Sequence, residues 1–398
     1  MNTNEFILSD LALPMKKIIR TLLICAPLFL GACGGSTNSN AGAVEPISTG
    51  SALEVPDAGA VSVSAVSSPL PAGWWKGAFM QVYVRAYQDS DGDGKVDVRS
   101  VLLTAENGLN SPYGMELVGD TLYVANTDAL LAFPYKEGDT KITAKGEKIV
   151  PLPAGAPNNH WTRNVIASPD KKTLLVTVGS NSNIGENGLK SEEYRANVLE
   201  VFPKQKTFRI FTAGLRNPNG IAYEPKTGYL WTTVNERDQL GPDTPPDYLA
   251  TVDFGGHYGW PWYYWRLPDN RVQPQRPDLQ QYVKKPNYAL GPHTASLGLA
   301  FAGTAKLGDK FANGAFIGQH GSWNRVPPSG YKVVYIPFND RGFPDAKAKP
   351  IDVLTGFLSA KNEAQGRPAG VAIDKSGALL VADDAGNRIW RVSAPAKR

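Results

Sequence analysis

The stretch "GLNSPYGMELVGDTLYVANTD", residues 108–128, sets the reading of the whole chain. A Gly/Pro turn leads into a short apolar strand, Gly119-Asp120 reverses the chain, and a second apolar strand follows. The same order recurs in "GLRNPNGIAYEPKTGYLWTTVNE" (214–236) and "GRPAGVAIDKSGALLVADDAGN" (366–387). Looser copies are "HWTRNVIASPDKKTLLVTVGSN" (160–181) and "ASLGLAFAGTAKLGDKFANGAFIGQHGS" (295–322). The equivalent points Gly114, Asn164, Gly220, Gly298 and Gly370 stand 50, 56, 78 and 72 residues apart. Four short strands need roughly 40 to 50 residues, so the later units carry long insertions. No segment has a long helical period. Radial repetition of four-stranded units is a propeller, whereas a β-helix would want shorter and more regular coils. Strands within 76–106 would complete a sixth unit. The expected fold is therefore all-β, a six-bladed β-propeller.

Loops from every blade of such a fold converge on one face, so residues far apart in sequence share a pocket. His160 precedes the inner strand of its unit and has the right pKa for a general base, although a polar loop residue would look the same. Arg216 and Asn217 hold the corresponding place in the next unit. There a guanidinium and an amide would clamp a carboxylate, or an Asn-Pro-Gly turn would simply close the loop. "TTVNERDQLGPDTPPDYL" (232–249) gathers Glu236, Arg237, Asp238, Asp243 and Asp247, either a seat for a hard cation or an acidic surface loop. The aromatic run "DFGGHYGWPWYYW" (253–265) reads equally as a stacking wall or as a plug between blades. "QHGSWNR" (319–325) has the same mixed character. In "DSDGDGKVD" (89–97), Asp89, Asp91 and Asp93 match the start of a calcium loop and Gly94 its turn, but the twelfth position is Ser100 rather than Glu. A hairpin turn with weak calcium binding is the expectation there.

The N-terminal part has a different composition. "MKKIIRTLLICAPLFLGAC" (15–33) has a cationic start, an apolar run and a small-residue end, the pattern of a secretory signal. Its "LGAC" resembles a lipobox, which makes Cys33 the expected lipidated residue after removal of 1–32 and Met15 the expected start. Residues 34–66 are small and polar, a tether between lipid and domain, and the propeller is expected over 67–398. The implied place is a bacterial envelope, with Gly34 favouring the outer membrane. Membrane attachment would be through lipid alone. The only other cysteine, Cys25, lies in the signal, so the folded part has no disulfide or thiolate chemistry.

The formal charge of +4 falls to about +3 without residues 1–32, and no basic cluster suggests nucleic acid. There is no GxGxxG opening a helix, no GxxxxGK[ST], no HExxH and no G-x-S-x-G. Nicotinamide, nucleotide, zinc-protease and serine-hydrolase chemistries are therefore unsupported.

Eight motifs in order over residues 70–396 resemble the glucose/sorbosone dehydrogenases. They are "NNHWTRN" with "TVGSNSNIGENG", "GLRNPNG", "NERDQLGPDTPPDYL", "GGHYGWPWYYW", "HTASLGLAF", "QHGSWNR", "GRPAGVAI" and "VADDAGNRIWRV". The L-sorbosone branch looks closest. The resemblance implies a six-bladed quinoprotein that uses pyrroloquinoline quinone (PQQ) and Ca2+ to oxidise an aldose or sugar aldehyde, passing electrons to a periplasmic acceptor. It makes His160 the general base and Arg216, Asn217, Arg237 and Arg367 cofactor contacts, with His320 and Arg325 near the site of a further cationic contact. The backbone carbonyls of Asp238 and Gln239 fall near the calcium pair. Ser180 replaces an aspartate beside the base, removing an expected partner for the imidazole. Two other readings stand beside this one. One is a non-enzymatic propeller binding a sugar or protein. The other is a lactonase-type hydrolase whose metal would draw on Asn235 and Glu236.

Overall fold

A computed structural model describes residues 85–88 and 98–394; Cys33, Asp89, Asp91 and Asp93 lie outside them, so the expectations placed there are not addressed by it. Nearly all regular structure is strand. Five sheets follow one another along the chain. The first blade runs Gly114–Val118, Thr121–Ala125, Ala129–Pro134 and Glu147–Pro151. The second runs Val165–Ala167, Leu174–Val178, Asn197–Phe202 and Thr207–Ala213. Gly256–His257, from the insertion of the third unit, adds a parallel fifth strand to that second sheet. The third blade is Pro218–Tyr223, Leu230–Val234, Pro246–Thr251 and Tyr288–Pro292. The fourth is Ser296–Phe301, Gly314–Gln319, Lys332–Pro337 and Ile351–Leu354. Three strands make the fifth: Pro368–Ile373, Leu379–Asp383 and Arg388–Val392.

The sequence led to an expectation of six blades, and among the described residues there are five. A two-stranded sheet, Arg85–Gln88 with Val98–Val101, occupies the part of the chain from which a sixth was expected. Most of the remaining residues that such a blade would use lie outside the described part.

Blade faces pack through apolar layers. Leu130 and Val150 of the first blade meet Val176 and Leu199 of the second. Leu175 and Val198, on the opposite face, meet Ile221 and Leu230 of the third. Trp231 and Leu249 continue to Ile317 and Val334 of the fourth, and Phe316 with Tyr335 continues to Leu379 and Val381 of the fifth. In the second to fifth blades the second strands are buried on both faces, which is why they read as nearly unbroken apolar runs such as "LLVTV" and "GAFIGQ".

The inner strands stand almost backbone against backbone. A Cβ on Gly114 would lie 2.6 Å from the Cα of Asn164, and one on Gly298 would lie 2.4 Å from the Ala369 carbonyl oxygen. These glycines are the repeat points seen in the sequence, and the close approach is the reason for them. At the second blade the residue is Asn164, whose amide donates to the Asn219 carbonyl at 3.0 Å. We expect Gly298→Ala to destabilise the fold by about 1–3 kcal/mol, because backbone rather than a flexible side chain must move. A denaturation midpoint unchanged from the parent chain would contradict the close-approach account.

Candidate active site

The segments just ahead of the inner strands lie side by side at one end of the axial channel. Tyr113, His160–Arg163, Arg216–Asn217, His293–Ala295 and Arg367 are thereby gathered at one mouth.

His160 is fixed from behind. Its Nδ1 lies 3.0 Å from the Ser180 carbonyl oxygen and 2.9 Å from Ser180 Oγ. Ser180 Oγ donates its own proton to the Ser182 carbonyl at 2.6 Å, so towards the imidazole it accepts. Both contacts therefore require a proton on Nδ1, and Nε2 keeps a lone pair with no hydrogen-bond partner among the described residues. The serine that replaces an aspartate thus still orients the ring, contrary to expectation, without adding a charge. Burial of the ring, then the Arg216 guanidinium, then Arg163 and Arg195, push the imidazole well below its ordinary pKa, while the bond to the Ser180 carbonyl works the other way. At neutral pH His160 is an uncharged base. Arg163, wholly buried, ties its loop by donating to the carbonyls of His160, Thr162 and Pro153 at 2.6, 2.8 and 2.7 Å. Gly179 is needed here as well: a Cβ would strike Asn217 Oδ1 at 2.4 Å and His160 Cβ at 2.5 Å.

Arg216 spends all five of its N–H donors on the protein. They go to the Asn183 carbonyl (3.1 Å) and Oδ1 (2.9 Å), the carbonyls of Asn235 (3.3 Å) and Glu236 (2.7 Å), and Asp238 Oδ2 (2.9 Å). It braces three loops and lends the mouth positive charge, and no donor is left for the expected clamp. Its neighbour Asn217 points the other way in this respect, because its Oδ1 is buried without a partner.

Arg237 also turns inward. It forms a buried ion pair with Asp269 and donates to the Asp238 carbonyl through Nε and Nη2. Arg325 is tied to Asp243 and to the Pro242 carbonyl at the rim. The groups that do face one another across the mouth are His320 and Arg367. His320 Nε2 donates to Asp384 at 2.9 Å, which leaves Nδ1 to accept from Arg367 Nη1 at 3.3 Å. Arg367 also donates to the Tyr331 hydroxyl at 2.7 Å and lies over that ring. Its remaining donors, Nε among them, have no partner among the described residues.

The aromatic run is a plug and not a stacking wall. Tyr258, Trp260 and Tyr263 are buried, and the Trp260 indole donates to the Asn183 carbonyl at 2.9 Å. The aromatic rings exposed in the loops of the mouth are Trp161 (45 % exposed) and Trp323 (78 %). Sequence reasoning gave no role to Asn183, which organises Arg216, Asp238 and Trp260 together. Its place in "TVGSNSNIGENG" was the only available signal. The hydrolase reading finds no support in Glu236, which is buried with Oε1 accepting from the Arg237 backbone N–H. No three His, Cys, Asp or Glu side chains converge on a metal position among the described residues.

Fold and site together define a β-propeller with a neutral histidine base and a cationic rim at one mouth. The chain belongs to the TrAA12-like family, whose pattern matches residues 80–245 and 273–395. It is 26 % identical over 301 residues to an uncharacterized protein of Borreliella burgdorferi, covering 73 % of this chain and 78 % of that one. It is 27 % identical over 223 residues to the pyrroloquinoline quinone-dependent pyranose dehydrogenase of Coprinopsis cinerea, covering 45 % of this chain and 30 % of that enzyme. Among solved structures, the calcium structure of Trichoderma reesei Carbohydrate-Active Enzymes Family AA12 superposes with a TM-score of 0.64 at 20 % identity, over 78 % of this chain and 87 % of that one. At that identity the likeness carries the fold.

Behind the mouth, burial raises Glu236 to about 7 and Asp247 to about 6. Between about pH 4.5 and 7 folded Glu236 keeps a proton that the unfolded chain has released, so this group's stabilisation is present at low pH and lost as pH rises through 7. His160 acts oppositely: it is neutral in the fold, and stability falls as pH drops below about 6.5, where the unfolded chain protonates. Glu236→Gln should raise stability by about 1–3 kcal/mol at pH 8 and by much less at pH 4.5. Thermal melting at both pH values checks this, and an equal shift at both would contradict it.

Proposed function

We propose that the protein is a PQQ-dependent oxidoreductase acting on an aldose or related sugar aldehyde, of the sorbosone type. The observation that carries the reading is His160, neutral, fixed through Nδ1 and presenting a free Nε2 lone pair at a cationic mouth. The name of the Coprinopsis relative supports the choice of cofactor. The residues suit an anionic, planar quinone: Arg367 has unused donors for a carboxylate, and Trp161 and Trp323 offer ring faces. Bound PQQ supplies the quinone carbonyl that accepts hydride.

The protein's part is proton handling and orientation. A substrate hydroxyl on the carbon to be oxidised donates to His160 Nε2, which takes that proton as hydride leaves the carbon. The imidazolium so formed keeps its Nδ1–H on Ser180 and is held at low pKa by burial, then by Arg216 and Arg163, so it gives the proton up readily to solvent. Arg367 and the buried arginines would offset negative charge at a bound quinone.

On the same reading the fold closes with a sixth blade. Leu102 and Leu103, directly after the Arg85–Gln88/Val98–Val101 pair, pack on the outer face of the first blade at Leu122, Val124 and Phe133, which supports it. Lipid attachment at Cys33, a place in the outer membrane and a periplasmic electron acceptor complete the proposal, and these rest on the sequence pattern.

The test is titration of the full chain with PQQ followed by absorbance, then addition of aldoses and sorbosone with an artificial electron acceptor. We expect saturable binding and substrate-driven reduction. His160→Gln should keep the PQQ affinity within about twofold and lower reduction about 10²–10⁴-fold. Arg367→Ala should weaken PQQ binding by about tenfold or more. Absence of PQQ binding at micromolar concentration would overturn the proposal in favour of a non-enzymatic binding propeller.

A further inference from the structure

The loop at 238–242 holds the carbonyls nearest the expected calcium pair, and every one of them already has a side-chain donor. The Asp238 carbonyl accepts from Arg237 Nε (3.1 Å), Arg237 Nη2 (3.0 Å) and Asn183 Nδ2 (3.3 Å). The Gln239 carbonyl accepts from Arg271 Nη2 at 2.8 Å, and that of Leu240 from the Thr244 hydroxyl at 2.8 Å. His293 Nε2 donates to the Gly241 carbonyl at 3.0 Å, and Arg325 Nε to that of Pro242 at 3.2 Å. The Asp238 carboxylate is spent too: Oδ2 on Arg216 at 2.9 Å, Oδ1 on the Asn324 amide at 2.9 Å.

A hard divalent ion needs six to eight oxygens with lone pairs to give. Here each of these oxygens already accepts from an N–H or O–H group, and four of the donor groups are guanidinium cations that would repel a metal sharing the same oxygens. The arrangement is clasped from outside. Asp269, buried, holds Arg237 in place, and Arg271, two residues on in the same insertion, caps Gln239. Gln239 takes a left-handed backbone with φ of 69°, a strained conformation for this residue type, and presents its carbonyl to Arg271. Calcium does not fit this loop.

We infer that the 238–242 loop is wired to the protein's own side-chain cations in place of a metal, so that a quinone at this mouth is held without calcium. The inference rests on the quinone reading above for its functional consequence, but not for the metal preference of the loop.

The test uses the full chain, stripped of metal, with PQQ binding followed by quenching of tryptophan fluorescence in chelator and in excess calcium. The expected result is a dissociation constant that differs by less than about twofold between the two conditions. The residues Asp89, Asp91 and Asp93 are a separate possible source of a calcium response, so the comparison is repeated in Asp89→Asn/Asp91→Asn/Asp93→Asn. A tenfold or larger tightening by calcium that persists in this variant would overturn the inference, and one that vanishes in it would leave the 238–242 loop metal-free as inferred. If PQQ binds under neither condition, the quinone reading fails. Calorimetric titration of calcium alone into the triple variant then decides the inference: micromolar binding overturns it, and no binding tighter than millimolar upholds it.

Discussion

The close approach of the inner strands is the constraint on which the rest depends. Gly114 against Asn164, Gly220 against Leu297 and Gly298 against Ala369 leave no room for a side chain, so neighbouring strands are held level along the axis. Levelness puts the segment ahead of each strand at the same mouth. Residues more than two hundred positions apart, His160 and Arg367, are brought to one opening by this backbone packing. The apolar layers between blades supply most of the burial, but the glycine contacts set the geometry that a site requires.

The electrostatics of the mouth follow from which groups are buried. Arg163, Arg195 and Arg216 are buried close enough to His160 for their charges to act on its imidazole. Burial does most to keep the imidazole neutral, and the positive field of Arg216, then of Arg163 and Arg195, adds to it. An aspartate in place of Ser180 would partly cancel that field; the serine orients the ring through the same atom and leaves the field intact. The 238–242 loop follows the same logic, with guanidinium groups turned on carbonyl oxygens.

Much of this was legible in the sequence, and the failures have physical reasons. The repeat was readable because a strand buried on both faces is an apolar run between turns, and the repeated glycine marks the backbone contact. Five blades stand among the described residues, and most of the strands expected to make a sixth lie outside them. His160, Arg216 and Asn217 could be placed at the mouth from repeat position alone. What Arg216 binds could not, because its acceptors come from Asn183 and from 235–238, loops of two different blades. The aromatic run at 253–265 was ambiguous because its burial depends on Gly256–His257 pairing with a strand of the preceding blade. Local pattern carries no information about such a contact.

The central claim is that His160 is a neutral base protonated on Nδ1 and open at Nε2. Nitrogen-15 NMR of the four histidines, with His160→Gln to assign the signal, tests it most directly. The account predicts a pyrrole-type Nδ1 and a pyridine-type Nε2 for His160 at neutral pH, with no protonation until well below the ordinary imidazole range. A proton on Nε2, or an imidazolium at pH 7, would contradict it.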